Sequence, residues 1–262
     1  MSKPIFVLGL ARNGTTWISN ILCQHPEIAG VQHIAHWGIK ESKIFGNKEY
    51  WGEDFREIDD FIRFLELYSS GDYFSLANGD KDFFYKNVPN DFYDFYFTLM
   101  DRYAAKKDSK YWLTKLDPRF YSNIEDLNKF LTRAKARYGN NQVKFVSINR
   151  NPVEAIESGV LYQGSSRPRQ SLKWRIVYIL VKLSREVVDY NEINSLVDEE
   201  EGIRSDFSDL VQNRRAVCER LCNYLNLKFN KSMLEDKFPA NSSYKGRQET
   251  TSITKAEKTV IS

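Results

Sequence analysis

Between a short apolar run and a helical pattern lies Gly9-Leu10-Ala11-Arg12-Asn13-Gly14-Thr15-Thr16-Trp17. Glycines at its two ends let the backbone curl so that successive N–H groups point inward at an anion. A helix opening at Thr15 adds about half a positive charge at its N-terminus. The Thr15 and Thr16 hydroxyls are further donors. Arg12 lies inside the loop, where a purely structural turn has no use for a cation. The spacing is that of a loop that cradles nucleotide phosphates, with one exception. Thr15 stands where loops that hold triphosphates carry lysine. The acid that would hold magnesium is missing too, because the apolar run over 143–148 ends in Asn149-Arg150 and not in aspartate. Transfer from a triphosphate relies on metal to neutralise clustered charge.

A second cluster is Asn149-Arg150-Asn151-Pro152-Val153-Glu154-Ala155-Ile156-Glu157-Ser158. Arg150 leaves the end of a strand, Pro152 suits a first helical turn, and Ser158 falls two turns along. An arginine fork with a hydroxyl suits a phosphate monoester. Taken alone, the same residues also read as a helix cap with a surface arginine. Lys115, in Thr114-Lys115-Leu116-Asp117-Pro118, closes another apolar run. Strand C-termini line the ligand crevice of open α/β sheets, so Lys115 is a candidate there, with a surface lysine as the alternative.

The elements that position these residues follow from hydrophobic period. Ile5–Leu8 is an all-apolar run, as in a strand buried on both faces. Thr15–Cys23 repeats apolar residues at helical spacing and ends at His25-Pro26. Ile28–Val31, Tyr111–Leu116 and Val143–Ile148 read as strands. Ile58–Leu67, Phe92–Ala105, Ile124–Tyr138 and Leu210–Leu227 read as helices, and Leu172–Leu196 as one helix or two. Alternation of this kind predicts an α/β fold, three-layer α/β/α, with a central parallel sheet of about five strands. No linker interrupts the chain, so residues 1–262 are expected to form a single domain, with the last residues frayed. Residues 45–110 are aromatic-rich, and Tyr50, Trp51, Phe55, Tyr73, Phe83, Phe84 and Tyr85 cluster there, with Trp37 just before them. They suit either ordinary core or a wall for an acceptor.

Bulk properties exclude several classes. The 262 residues carry 38 Lys and Arg against 35 Asp and Glu, a formal charge of +3, well mixed along the chain. That argues against a nucleic-acid surface. No stretch approaches the ~20 apolar residues that span a bilayer. The N-terminal apolar run is too short for a signal peptide. Cys23, Cys218 and Cys222 suit buried thiols, and zinc would need more ligands than the neighbouring sequence supplies. A reducing, cytoplasmic compartment is therefore expected.

Arg12-Asn13-Gly14-Thr15-Thr16-Trp17 resembles the 5′-phosphosulfate loop of sulfotransferases that use 3′-phosphoadenosine 5′-phosphosulfate (PAPS). His25-Pro26-Glu27-Ile28 resembles that family's next landmark. Arg150-Asn151-Pro152 with Ser158 is similar to its 3′-phosphate site. Phe207-Ser208-Asp209-Leu210-Val211-Gln212-Asn213, then Leu221-Cys222-Asn223-Tyr224-Leu225, resembles its late strand–helix unit. Asn241–Arg247 resembles the loop that folds over the nucleotide. Together the matches run from residue 5 to about 247.

The resemblance implies a P-loop nucleotide-kinase-like sulfotransferase fold. It implies PAPS as co-substrate, 3′-phosphoadenosine 5′-phosphate (PAP) as product, and no metal: a terminal sulfuryl group carries one negative charge, which fixed donors can meet. It puts Arg12, Asn13, Gly14, Thr15, Thr16, Trp17, Arg150, Ser158, Lys245, Gly246 and Arg247 on the nucleotide. Arg12 and Lys115 then face the leaving-group oxygen. For the base, one branch of the family has a histidine two residues after the catalytic lysine, where this chain has Asp117. Other branches place an acidic base after the His-Pro segment, where this chain has His33, with His36 nearby. Histidine titrates at ~6.5 and aspartate at ~3.9, which ranks His33, then His36, then Asp117. The acceptor would be a hydroxyl or amine of a small molecule, carbohydrate or lipid. Two other readings remain: a nucleotide kinase or NTPase with a degenerate loop, and a non-catalytic nucleotide-binding protein.

Overall fold

The computed structural model describes residues 2–9, 12–30, 55, 57–69, 72–116, 124–155, 158, 176–177, 179–181 and 202–235. Its strands are β1 (Lys3–Leu8), β2 (Ile28–Gly30), β3 (Tyr111–Leu116), β4 (Lys144–Asn149) and β5 (Gly202–Asp206). They form a five-stranded sheet in the order β2-β3-β1-β4-β5, with every pairing parallel. The central strand is β1, which pairs Val7 with Lys115 of β3 and Leu8 with Ser147 of β4. All strand C-termini therefore lie along one edge.

Helices cover both faces. They are α1 (Thr15–Leu22), α2 (Ile58–Ser69), α3 (Asp72–Leu76), α4 (Lys81–Lys86), α5 (Phe92–Lys106), α6 (Ile124–Tyr138), α7 (Phe207–Gln212) and α8 (Arg214–Tyr224). Alternate residues of a strand point to opposite faces, and β1 divides accordingly. Ile5 and Val7 join Ile18, Ile21 and Leu22 of α1 and Val217 and Leu221 of α8 in one core. Phe6 and Leu8 join α2, α5 and α6 in the other. The expected three-layer α/β/α arrangement with about five parallel strands is what the structure shows. Among the described residues no helix is long and apolar enough to cross a membrane.

The aromatic-rich region is mostly core where it is described. Phe84 is fully buried, and Phe55 and Phe83 pack against the same cluster. Phe95 sits at its hub, with ring centroids 4.6 Å from Phe84, 4.8 Å from Phe64 and 5.1 Å from Tyr68. Tyr85 is on the outside, its hydroxyl donating to Glu66. Trp37, Tyr50 and Trp51, and the side chain of Tyr73, lie outside the described residues. The short helices in this region are set by local caps. Asp80 accepts from Phe83 N and Asp91 from Asp94 N, each satisfying an amide that a helix start leaves open.

Two expected boundaries move. The single helix over Leu210–Leu227 is two, α7 and α8, divided at Asn213, whose φ of −129° and ψ of 40° are not helical. The late strand lies before Phe207, at Gly202–Asp206, and Phe207 itself opens α7. β5 was hard to see because its burial alternates weakly and it contains Arg204 and Asp206. Of the helix expected over Leu172–Leu196, only 176–177 and 179–181 are described, and these are helical. Cys218 and Cys222 are buried thiols, Cys222 Sγ lying 3.5 Å from Met233 Sδ. Cys23 is half-buried, and burial pushes its thiol up to about 12.

Phe6 is the residue on which the second core turns: it is fully buried and meets Trp112 at 5.6 Å, Phe130 at 5.3 Å and Phe145 at 5.9 Å. Phe6→Ala is expected to lower stability by about 3–5 kcal/mol, read as a shift in the urea midpoint with the slope unchanged.

Candidate active site

The chain leaves β1 through Gly9 and enters α1 at Thr15. Arg12 has a φ of 74° and Gly14 a φ of 99°, so the turn uses left-handed backbone at both of these residues. That conformation suits glycine and costs other residues about 1 kcal/mol or more. Gly14 is required for a second reason. A Cβ there would come within 2.6 Å of the Phe207 ring. Gly14 caps α1 with no side-chain hydrogen bond, and no acidic residue stands in the first turn. The first bond into α1 is from Ile18 N to Gly14 O, at 3.0 Å. The amides of Thr15, Thr16 and Trp17 precede it and face the loop with the helix's positive end.

Thr15, at the position where a triphosphate loop carries lysine, is 7% exposed. Its Cγ2 abuts Gly9: a Cβ on Gly9 would come within 2.7 Å of it. Asn13 is 3% exposed. Thr16 is half-buried, and its hydroxyl accepts a 2.9 Å bond from Lys115 Nζ. The pairing of β1 with β3 makes this contact, because Val7 opposite Lys115 sets the lysine beside the start of the loop.

Arg150 follows β4 and reaches across to the same loop. Its Nη1 donates to the Arg12 carbonyl at 3.3 Å, and its Nε to Glu154 at 3.2 Å. Its guanidinium carbon lies 4.3 Å from the centroid of Phe207. Arg12 in turn points its guanidinium at Ser158: Nε and Nη2 each lie 3.3 Å from the hydroxyl. Sequence reading gave these two residues separate tasks, Arg12 at the transferred group and Ser158 at a remote phosphate. The fold brings them into hydrogen-bond distance. Trp17 is 9% exposed and its ring is 5.6 Å from Phe207.

Arg12, Asn13, Gly14, Thr15, Thr16, Trp17, Lys115, Arg150 and Ser158 are thus assembled along one edge of the sheet. His33, His36, Asp117, Lys245, Gly246 and Arg247 lie outside the described residues. His25, which marked the His-Pro landmark, is architectural. Its Nε2 donates to Lys228 O at 2.9 Å and its Nδ1 accepts from Glu27 N at 3.2 Å, so both ring nitrogens serve the backbone. Two contributors were missed. Glu154 was read as part of a helix and is the acid on Arg150. Phe207 was read as architecture and touches Gly14, Trp17 and Arg150. The signal for Phe207 was available: it follows a strand and opens a helix, the position from which side chains reach a ligand edge.

An arrangement of this kind can orient a phosphate-bearing ligand and place positive charge on an oxygen as it acquires electrons. Gly14→Ala tests the loop's backbone directly. The Cβ meets a ring and the φ is unfavourable, so a loss of roughly 1–3 kcal/mol in stability is expected, measured by chemical denaturation.

A sequence profile of the sulfotransferase family matches residues 4–231. A search of curated protein sequences gave no match. Among solved structures the chain is similar to the sulfotransferase domain from the curacin biosynthetic pathway. That alignment has 15% identity, covers 99% of this chain and 96% of the other, and has a TM-score of 0.54. It is similar also to the sulfotransferase domain from the Synechococcus PCC 7002 olefin synthase, at 16% identity, 99% and 93% coverage and a TM-score of 0.51. These likenesses bear on the fold. With a five-stranded parallel sheet, a phosphate-type loop after its central strand and a profile match over most of its length, the chain belongs to the sulfotransferase family.

Proposed function

We propose that this sulfotransferase takes its sulfuryl group from PAPS and transfers it to a hydroxyl or amine of a small-molecule, carbohydrate or lipid acceptor. The observation that carries the reading is the meeting of Arg12, Lys115 and Arg150 at a loop whose lysine position is filled by buried Thr15. The loop keeps the amide nest and helix end of a phosphate site. It gives up the lysine that a triphosphate calls for.

In the proposed reaction the acceptor oxygen or nitrogen forms a bond to sulfur. The bond from sulfur to the bridging phosphate oxygen breaks, and PAP leaves. Arg12 and Lys115 offset the charge that grows on that oxygen, together with the α1 amides. Lys115 and Thr16 act as a pair, the hydroxyl orienting the ammonium. Arg150 and Ser158, with Lys245, Gly246 and Arg247, are assigned to the nucleotide. His33 is assigned the acceptor proton on the strength of its place after His25-Pro26 and of the ~6.5 at which a free histidine titrates. The thiols Cys23, Cys218 and Cys222 suit reaction in the reducing cytoplasm.

Calorimetric titration with PAP, in buffer containing a chelator, is expected to show binding at one site; no heat and no competition with a labelled donor would remove the reading. Arg150→Ala is expected to weaken PAP by about tenfold to a hundredfold and adenosine 5′-phosphate far less. Equal losses would detach Arg150 from the 3′-phosphate. His33→Ala is expected to abolish turnover while leaving PAP affinity intact. Magnesium-dependent ATP turnover would favour the kinase reading instead.

A further inference from the structure

We propose that Phe207 is a positioning residue of the nucleotide site: its ring holds the Arg150 guanidinium against the phosphate loop and so sets the preference for a nucleotide bearing a 3′-phosphate. The proposal rests on the functional reading above and extends it to a residue that sequence reading treated as architecture.

The juxtaposition begins in the sheet. β4 and β5 are paired so that Asn149 lies opposite Asp206. The next residue on each strand is Arg150 or Phe207, so the two leave the sheet side by side at its C-terminal edge. The guanidinium lies 4.3 Å from the ring centroid, well inside the range of a cation–π contact. Arg150 is then held in three ways: Nε by Glu154, Nη1 by the Arg12 carbonyl, and one face by Phe207. These constraints differ in rigidity. Glu154 has a side chain 56% exposed and moves with its own rotamer. The bond to the Arg12 carbonyl is one that water or an anion can compete for. The ring is the wall that neither water nor a ligand anion displaces by competition for a hydrogen bond.

Phe207 is itself fixed on its remaining sides. Its ring abuts the space a Cβ on Gly14 would fill, and it lies 5.6 Å from Trp17. Trp17 is 5.9 Å from the guanidinium of Arg214, whose Nη2 donates to Met233 O and Glu235 O. Cation, ring, ring and cation thus follow one another from α8 to the end of β4. Phe207 is half-buried, and these contacts lie at the edge of the sheet. The same ring touches the loop glycine and the arginine, so it fixes the distance between the two parts of the site. A guanidinium released from the ring keeps its charge but loses the fixed orientation of its plane, and bidentate recognition of a phosphate depends on that orientation.

The experiment compares binding of adenosine 3′,5′-bisphosphate and adenosine 5′-phosphate to the wild type, Phe207→Leu, Phe207→Tyr, and a protein with pentafluorophenylalanine at position 207. Pentafluorophenylalanine keeps the ring's shape and reverses its quadrupole, so it separates the cation–π contact from packing. Phe207→Leu and the fluorinated protein are expected to lose roughly fivefold to thirtyfold in bisphosphate affinity and no more than about twofold for adenosine 5′-phosphate. Phe207→Tyr is expected to retain the wild-type ratio. Equal losses for both ligands would mean that the ring serves the shared adenosine, and would overturn the proposal. So would an unchanged bisphosphate affinity in the fluorinated protein, which decides the question even if Phe207→Leu fails to fold. A wild type that binds both ligands equally, or neither, would instead refute the functional reading, and the proposal would fall with it.

Discussion

Like charges gathered at one edge of a sheet repel, and this site has Arg12, Lys115 and Arg150 there together. Their arrangement is set by how that repulsion is contained. Lys115 donates to the Thr16 hydroxyl, Arg12 approaches the Ser158 hydroxyl, and one edge of Arg150 meets a backbone carbonyl. Neutral oxygens orient a cation without cancelling it. The acid on Arg150, Glu154, is largely exposed, where water weakens its hold. These contacts set where the three cations stand along the edge.

The parallel sheet supplies the convergence. With β1 between β3 and β4, the loop after β1 has Lys115 on one side and Arg150 on the other. The two cores keep those strands at fixed spacing. Ile5 and Val7 lock β1 to α1 and α8, while Phe6 and Leu8 lock it to the aromatic layer around Phe95. Residues remote from the loop thus decide where its flanking cations stand.

Much of this was legible in the sequence. Apolar runs bounded by Gly9, Asp117-Pro118 and Asn149-Arg150 identified β1, β3 and β4, because strands buried on both faces leave a dense signal. The turn from β1 into α1 was legible because Gly9 and Gly14 punctuate it and apolar residues resume at helical spacing after it. β5 was not legible, since an edge strand with Arg204 and Asp206 carries no such density. The break at Asn213 was hidden for a different reason: apolar residues continue at helical spacing across it, and only the backbone angles reveal the division. The aromatic region offered residue types but not their facing partners, so core and acceptor wall read alike. The meeting of Arg12 with Ser158 depends on side-chain reach across 146 positions of sequence, which no local pattern encodes.

Thr15 carries a consequence for how such a loop can change over evolutionary time. Its methyl group is seated against Gly9 and its side chain is nearly sealed from solvent. A lysine at that position would set an ammonium on a side chain that is 7% exposed, beside an arginine already in the loop. Burying a charge without a partner is among the costliest single exchanges a protein can make. Exchange of Thr15 for lysine would therefore call for changes in the packing around Gly9 as well.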